Sequence, residues 1–282
     1  MKTIKKKING KKMHLSPSNK GISANLKQFG FWEPCFTWIA KKESFGLILE
    51  VGTSIGYFTL LMSKYADKII CTEPDKRSRK ILKKNIKLHK LGDKIDVYKY
   101  AFSDSMSEKS FYYTSKPNQS GMLVPRKGKY SEGKVKTITI DSLDINPNFI
   151  KMDIEGYEIE VLNGAMDTLN RSVNCKILME VHPHLYSEER SFEKTLRFLL
   201  DLGFRFKYVV SAGVPIPDLF KEKGYKPFKV MNCGGDFKRG IYKNVLTEDA
   251  INFCSYKHKQ KVNAKKTSNK IVRSIMLEKA VI

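Results

Sequence analysis

Apolar residues recur along the chain in two rhythms. Short runs at strand spacing alternate with longer stretches at helical spacing. Leu47, Ile48, Leu49 and Val51 form an apolar run broken only by Glu50, as in a strand buried on both faces. After Gly56, the residues Phe58, Leu60, Leu61 and Tyr65 have rough helical spacing. A second strand runs from Lys68 to Thr72 and ends at Glu73. A helix over 74–91 follows, carrying Ile81, Leu82, Ile86 and Leu91 and stopping at Gly92. The pattern predicts further strands at 94–104, 148–153, 175–181, 204–210 and 239–246, with helices at 31–42, 156–170 and 189–202. Segments 109–115 and 134–140 read as two strands flanking a loop rich in Pro, Gly, Ser and Lys. A loop of that length is expected to shape a binding pocket. The last stretch, 269–282, reads as a short amphipathic helix. Strand–helix alternation of this kind predicts a doubly wound α/β fold, whose ligands bind beyond the carboxyl ends of the strands.

The first strand leads into Gly52-Thr53-Ser54-Ile55-Gly56, with Tyr57 next. Glycine permits close approach of a ligand to backbone. A dinucleotide fingerprint has three glycines, G-x-G-x-x-G, and cradles a pyrophosphate. Here the middle and last glycines are missing, which disfavours a dehydrogenase. A ligand with an amino-acid group and a ribose but no phosphates suits the turn better, and S-adenosylmethionine is of that kind. Taken alone, the turn equally fits an ordinary strand–helix junction. Glu73 follows Gly52 at the tip of the second strand, at the spacing of about 20 residues that separates such a turn from its ribose-binding acid. A carboxylate there is placed to accept hydrogen bonds from two ribose hydroxyls.

Composition adds limits. The chain has 282 residues, enough for one α/β domain with additions. Its five cysteines are scattered, odd in number and without a C-x-x-C pair, which reads as reduced thiols in a cytoplasmic protein. No apolar run reaches the roughly 18 residues of a membrane span, and the basic N-terminus lacks the apolar segment of a signal peptide. Net charge is +23; residues 1–20 hold seven lysines and no acid, and 256–282 hold seven lysines and one arginine against one glutamate. These stretches are expected as a disordered N-terminal tail (1–20) and a basic C-terminal tail (256–282) around a main domain at 21–255. Such tails can bind nucleic acid or another anionic surface, or simply aid solubility.

Two more constellations carry chemistry. In "IKMDIEGYEIEVLNGA", Asp153 closes the fourth strand at the ligand edge, while Glu155 and Glu158 fit the acids common at a helix start. In "LMEVHPH", Glu180 and His182 sit at the tip of the fifth strand. A carboxylate and an imidazole beside one cleft can act as an acid/base pair. They can also join Asp153 as ligands of a divalent metal, and a histidine near a strand end is often merely hydrogen-bonded.

Together "LEVGTSIGYFTL", "EPDKRSRKILKKNIKLH", "TIDSL", "IKMDIEGYEIEVLNGA" and "MEVHPH" occur in an order and spacing that resembles the FkbM-type methyltransferases, over about residues 31–250. The resemblance implies a class I (Rossmann-like) methyltransferase sandwich with a mostly parallel seven-stranded sheet and helices on both faces. It implies S-adenosylmethionine as donor, held by Glu50, Gly52, Thr53, Ser54 and Gly56, with Tyr57 beside them. It further implies ribose contacts from Glu73 and adenine-edge contacts near Ser103 and Asp104. Glu50 stands where such sequences usually carry Asp, and Thr53-Ser54 where Ala-Asn is usual. Family members commonly methylate hydroxyls of sugars and other small molecules, so a small-molecule or glycan acceptor is expected. A hydroxyl needs a base, and Asp153 is the first candidate, then Glu180 or His182; a divalent ion is the alternative. The rival readings are an RNA methyltransferase that holds its substrate with the basic tails, and a catalytically inactive nucleoside-binding module.

Overall fold

A computed structural model describes residues 2–17, 21–114, 121–124, 130–235, 237–263 and 266–279. The chain opens with a hairpin, β1 (Ile4–Ile8) and β2 (Lys11–Leu15), then α1 (Gly21–Phe29) and α2 (Pro34–Glu43). The glycine turn lies between β3 (Gly46–Val51) and α3 (Tyr57–Met62). Next come β4 (Ala66–Thr72), α4 (Lys76–Leu88), β5 (Ile95–Tyr98), β6 (Ala101–Phe102) and a second hairpin, β7 (Ser107–Thr114) and β8 (Tyr130–Ile138). Then follow β9 (Phe149–Met152), α5 (Glu158–Asn163), α6 (Met166–Arg171), β10 (Lys176–Glu180), α7 (Phe192–Asp201) and β11 (Phe204–Ser211). The chain continues through α8 (Asp218–Glu222), β12 (Lys229–Asn232), β13 (Lys238–Tyr242), α9 (Thr247–Phe253), β14 (Gln260–Asn263), β15 (Lys266–Ser268) and β16 (Val272–Lys279). Among the described residues, no helix is long and apolar enough to cross a membrane.

Nine strands form the central sheet in the order β12-β13-β11-β16-β10-β9-β3-β4-β5. The run from β10 to β5 is parallel, and β16 runs antiparallel between β10 and β11. The carboxyl ends of β3, β4, β9, β10 and β11 therefore share one edge with the beginnings of β13 and β16. Alternate residues feed two cores. Leu49, Ile177, Met179, Ile275 and Leu277 face the side covered by α5, α6, α7 and α9. Ile48, Leu178, Val210 and Met276 face the side covered by α2, α3, α4 and the first hairpin. This two-sided burial explains strands that are apolar at nearly every position.

Local chemistry sets the helix ends. Asp75 caps α4 by accepting from Arg77 N at 2.8 Å. Ile81, Leu82 and Ile86 form the buried stripe of that helix. Ser191 caps α7, which stops before Gly203 at φ 92°.

Both ends of the chain depart from expectation. Instead of a disordered tail over residues 1–20, residues 4–15 form a hairpin that belongs to the core. Its turn is Asn9-Gly10, with φ of 47° and 80°, which matches the right-handed twist of paired strands. Ile8, Met13 and Leu15 are buried, while Lys5, Lys6 and Lys7 stay in solvent. Buried Asn85 of α4 clamps the hairpin by accepting from His14 N at 2.6 Å and donating to Ile55 O at 2.8 Å. The expected C-terminal helix is the strand β16. Its apolar residues Ile275, Met276 and Leu277 are consecutive, which fits a two-sided strand and not one helix face. The sheet accordingly has nine strands instead of seven: the strand expected at 239–246 is β13, and β12 and β16 are the additions. The expected helix at 156–170 divides into α5 and α6, and the expected loop at 115–134 gives way to β8 from Tyr130. Residues 115–120 and 125–129 of that loop lie outside the described residues.

Candidate active site

At the sheet edge, the chain turns sharply after β3. Gly52, Ser54 and Gly56 have φ of 77°, 53° and 88°. A Cβ on Gly52 would lie 2.2 Å from the Asp153 carbonyl oxygen, so only glycine allows β3 and β9 to meet so closely here. Beneath the turn, Lys151 is buried and donates to Gly52 O at 2.8 Å. Its ammonium also lies 3.8 Å from Glu50, the residue it faces across the β3–β9 pair. Glu50 accepts from Thr59 Oγ1 at 2.6 Å, and burial pushes its carboxyl up to about 7 against the pull of Lys151. Glu50 and Lys151 thus brace the turn from below.

Glu73 closes the turn from β4. Its carboxylate accepts from Ser54 N at 2.7 Å and from Asp75 N at 2.8 Å. Burial raises its pKa to about 7, with backbone donors opposing. Above lies a cavity of about 70 Å³ bounded by Gly52, Ser54, Glu73, Asp153 and the apolar Ala101, Phe102, Ile154 and Val161. Phe111 of β7 and the segment 121–123 cover it.

Of the residues expected around a donor, the structure brings Gly52, Ser54 and Glu73 to this cavity, with Asp153 opposite. Glu50, Thr53 and Gly56 shape the turn without lining the cavity. Gly56 is needed for packing, since a Cβ there would meet Leu82 at 2.6 Å. Tyr57 points away, and its hydroxyl accepts from Asn9 Nδ2 at 2.7 Å, tying the first hairpin down. Ser103 and Asp104 sit just outside. Ser103 Oγ donates to Asp104 at 2.9 Å and lies 3.0 Å from the Tyr157 hydroxyl, and it is Ala101, Phe102 and Tyr157 that reach the cavity.

The other half of the edge is charged. Glu158, expected as an ordinary helix-start acid, is fully buried. It accepts from Tyr186 OH at 2.8 Å and from Gly156 N at 3.1 Å, and it holds His182 Nδ1 at 2.8 Å. On the far side, His182 Nε2 lies 3.1 Å from Glu180 and 3.5 Å from Glu155. Burial disfavours the imidazolium, but the carboxylates of Glu158 and Glu180 win and raise its pKa to about 9. Glu180 also binds Lys270 Nζ at 2.9 Å and the Arg273 guanidinium. Burial opposes its charge, yet Arg273, Lys270 and His182 keep it well below the usual carboxylate range.

Asp153 behaves oppositely. Burial and the neighbouring Glu180 charge push its carboxyl up to about 7. The three expected acid/base residues are therefore sorted. Near neutral pH, His182 is a fixed cation, Glu180 a fixed anion, and Asp153 alone is poised to exchange a proton. Asp153, Glu155 and His182 also offer one ligand atom each within 4.8 Å of one another. A metal there would require His182 to give up its proton. Sequence reasoning missed Glu158, Tyr186, Lys270 and Arg273 as site residues. The only sequence signal for any of them is the acid that follows Asp153 at the helix start, since the others approach through folding.

A sequence model of the methyltransferase FkbM domain matches residues 50–206. No curated protein matches the chain. Among solved structures, the methyltransferase FkbM of Methylobacillus flagellatus KT shares 18% identity over 58% of this chain and 40% of its own, with a TM-score of 0.43. The chain thus spans less than half of that protein's length. M. jannaschii TYW2 in complex with AdoMet shares 12% identity over 99% of this chain and 87% of its own, with a TM-score of 0.43. Trm5b of Pyrococcus abyssi shares 13% over 98% of this chain and 55% of its own, again with a TM-score of 0.43.

Proposed function

We propose, since the chain belongs to the FkbM methyltransferase domain family, that it transfers a methyl group from S-adenosylmethionine to a hydroxyl oxygen of a sugar or other small molecule. The observation that carries this reading is Asp153, a carboxyl raised to about 7 on the wall of the cavity beside the glycine turn. When bound, S-adenosylmethionine supplies an electrophilic methyl group.

The residues fit that donor in kind. Glu73 offers lone pairs beyond those used by Ser54 N and Asp75 N, suited to a ribose diol. Ala101, Phe102 and Val161 give an apolar wall suited to a purine. The open space of about 70 Å³ is well below the roughly 300 Å³ at which small-molecule pockets begin. Phe111 and Met122 must therefore swing outward on binding. Asp153 accepts the proton of the attacking hydroxyl. The fixed charge of Glu180 favours that transfer by raising the proton affinity of Asp153, and Lys270, Arg273 and His182 hold Glu180 in its ionised state. Glu158 and Tyr186 position His182 in turn. The strand β9 leads through Lys151-Met152 into Asp153-Ile154, without the Pro-Pro pair that suits amino-group methylation.

Calorimetric titration with S-adenosylhomocysteine, beside NAD as a control, tests the donor site. Micromolar binding is expected for the first and none for the second. Replacing Glu73 by Ala should weaken it at least about tenfold, the cost of losing a charge-assisted hydrogen bond. Unchanged affinity in that variant would remove the ribose role.

A further inference from the structure

A second cavity, of about 360 Å³, opens on the same sheet edge, beyond β10. Its size lies within the roughly 300–1,000 Å³ of small-molecule sites. Residues before α2 (Trp32, Glu33), the turn after β11 (Ala212, Gly213) and the starts of β13 and β16 (Arg239, Arg273) bound it. Its inner wall meets the charged cluster directly. Lys270 and Arg273 line the cavity and also hold Glu180, and Glu180 holds His182, one of whose nitrogens lies within 4.8 Å of an Asp153 oxygen. Asp153 itself lines the first cavity, and Lys270, Arg273, Glu180 and His182 connect it to the second.

Its lining is chemically mixed. Arg239, Lys270 and Arg273 bring three positive charges. Glu33 pairs with Arg239 and with Arg273 at 2.8 Å, and Glu180 pairs with Lys270 and Arg273 from below. Burial first, and then the adjacent Arg273, lower the pKa of Lys270, the mark of crowded cations. Arg273 Nε is buried and has no hydrogen-bond partner among the described residues. At the mouth, Phe29 and Phe31 stack with ring centroids 5.8 Å apart, and Phe29 and Phe237 remain 36% and 39% exposed. Aromatic rings left open beside guanidinium groups suit a ligand with a ring face and an anionic substituent.

We propose that this second cavity receives the methyl acceptor, and that Arg239, Lys270 and Arg273 select a hydroxylated ring bearing an anionic group, a phosphate or a carboxylate. The inference rests on the methyl-transfer reading and adds the acceptor's charge and location. A bound anion would offset the mutual repulsion of Lys270 and Arg273. The aromatic mouth would hold the ring and direct a hydroxyl toward Asp153.

Tryptophan fluorescence provides the test, because Trp32 lines the cavity and Trp38 is the only other indole. The full chain, saturated with S-adenosylhomocysteine, is titrated with glucose 6-phosphate, glucuronate, glucose and inorganic phosphate. Either anionic sugar should bind at least tenfold tighter than both glucose and free phosphate. The ratio of the two anionic sugars identifies the anionic group. Arg239→Gln should cut that affinity about tenfold or more and leave S-adenosylhomocysteine binding unchanged. Phe29→Ala, at the exposed mouth, should weaken both anionic sugars and spare free phosphate. Equal binding of glucose, or an unchanged affinity in Arg239→Gln, or no saturable response to any sugar while S-adenosylhomocysteine binds, would overturn the inference alone. Failure of S-adenosylhomocysteine to bind would overturn the donor reading on which it rests.

Discussion

The two halves of the sheet edge solve different problems with different materials. Over β3 and β4, backbone does the shaping. Glycines turn the chain, amides of Ser54 and Asp75 fix Glu73, and apolar walls close the cavity. Over β10 and β16, charged side chains take over, with His182, Glu180, Lys270 and Arg273 in one connected network. Asp153 stands at the boundary and draws its raised proton affinity from both, through burial and through Glu180. The difference teaches that a site can hold one group by shape and tune the chemistry beside it by charge.

Breaking the boundary should have the largest effect. Asp153→Asn keeps the size and removes the base, so turnover should fall about 10²–10⁴-fold. S-adenosylhomocysteine affinity should persist, because the turn is untouched. Turnover close to wild type would move the base elsewhere.

Breaking the backbone half comes next. In Gly52→Ala, the new methyl meets the Asp153 carbonyl, and φ is positive. Stability should drop by roughly 2–4 kcal/mol in urea denaturation, and S-adenosylhomocysteine binding should disappear. Retained binding would mean that the turn can shift at little cost.

The smallest effect is one of pH, and it sharpens the comparison. Glu50, Glu73 and Asp153 are raised to about 7 from carboxyl values near 4, and His182 is raised to about 9. A group whose folded pKa exceeds its unfolded value stabilises below the unfolded value, and that stability is lost as pH rises through the folded one. All four have this sign. The three carboxyls lose that stability between about pH 4 and 7, and His182 loses it between its ordinary value near 6.5 and about 9. The melting temperature should therefore keep falling from about pH 7 to 9 through His182 alone. Glu158 and Glu180, held low, contribute in the opposite sense and only in acid. Turnover should instead rise through about pH 7 as Asp153 loses its proton. A melting temperature that is flat from pH 7 to 9 would contradict the charge states assigned to the cluster.

The same division governs what is legible in the sequence. The backbone half is local: the glycine turn, the acid at the tip of the next strand, and Asp153 at a strand end all follow from spacing. Side-chain direction is what spacing cannot reveal. Tyr57 and Glu50 lie at the turn yet face away from the cavity. The charged half is dispersed over Glu33, Glu180, Arg239, Lys270 and Arg273, and no periodicity connects them. Lys270 and Arg273 are hidden further because their lysine-rich segment reads as a tail. The first hairpin is hidden by its charge. Its Asn9-Gly10 turn and its buried Ile8, Met13 and Leu15 are visible in the sequence, but the lysines crowded around them argue for disorder.

One consequence concerns the order in which the protein is made. Strand β16 is made after every other strand of the central sheet, yet it belongs between β10 and β11. The strands from β3 to β10 can pair while translation continues, with β10 as a temporary open edge. Such an edge is a template for wrong partners until residue 279 emerges. The glycine-turn half of the site can therefore be assembled on the nascent chain, whereas the cavity that needs Lys270 and Arg273 must wait for β16 to emerge.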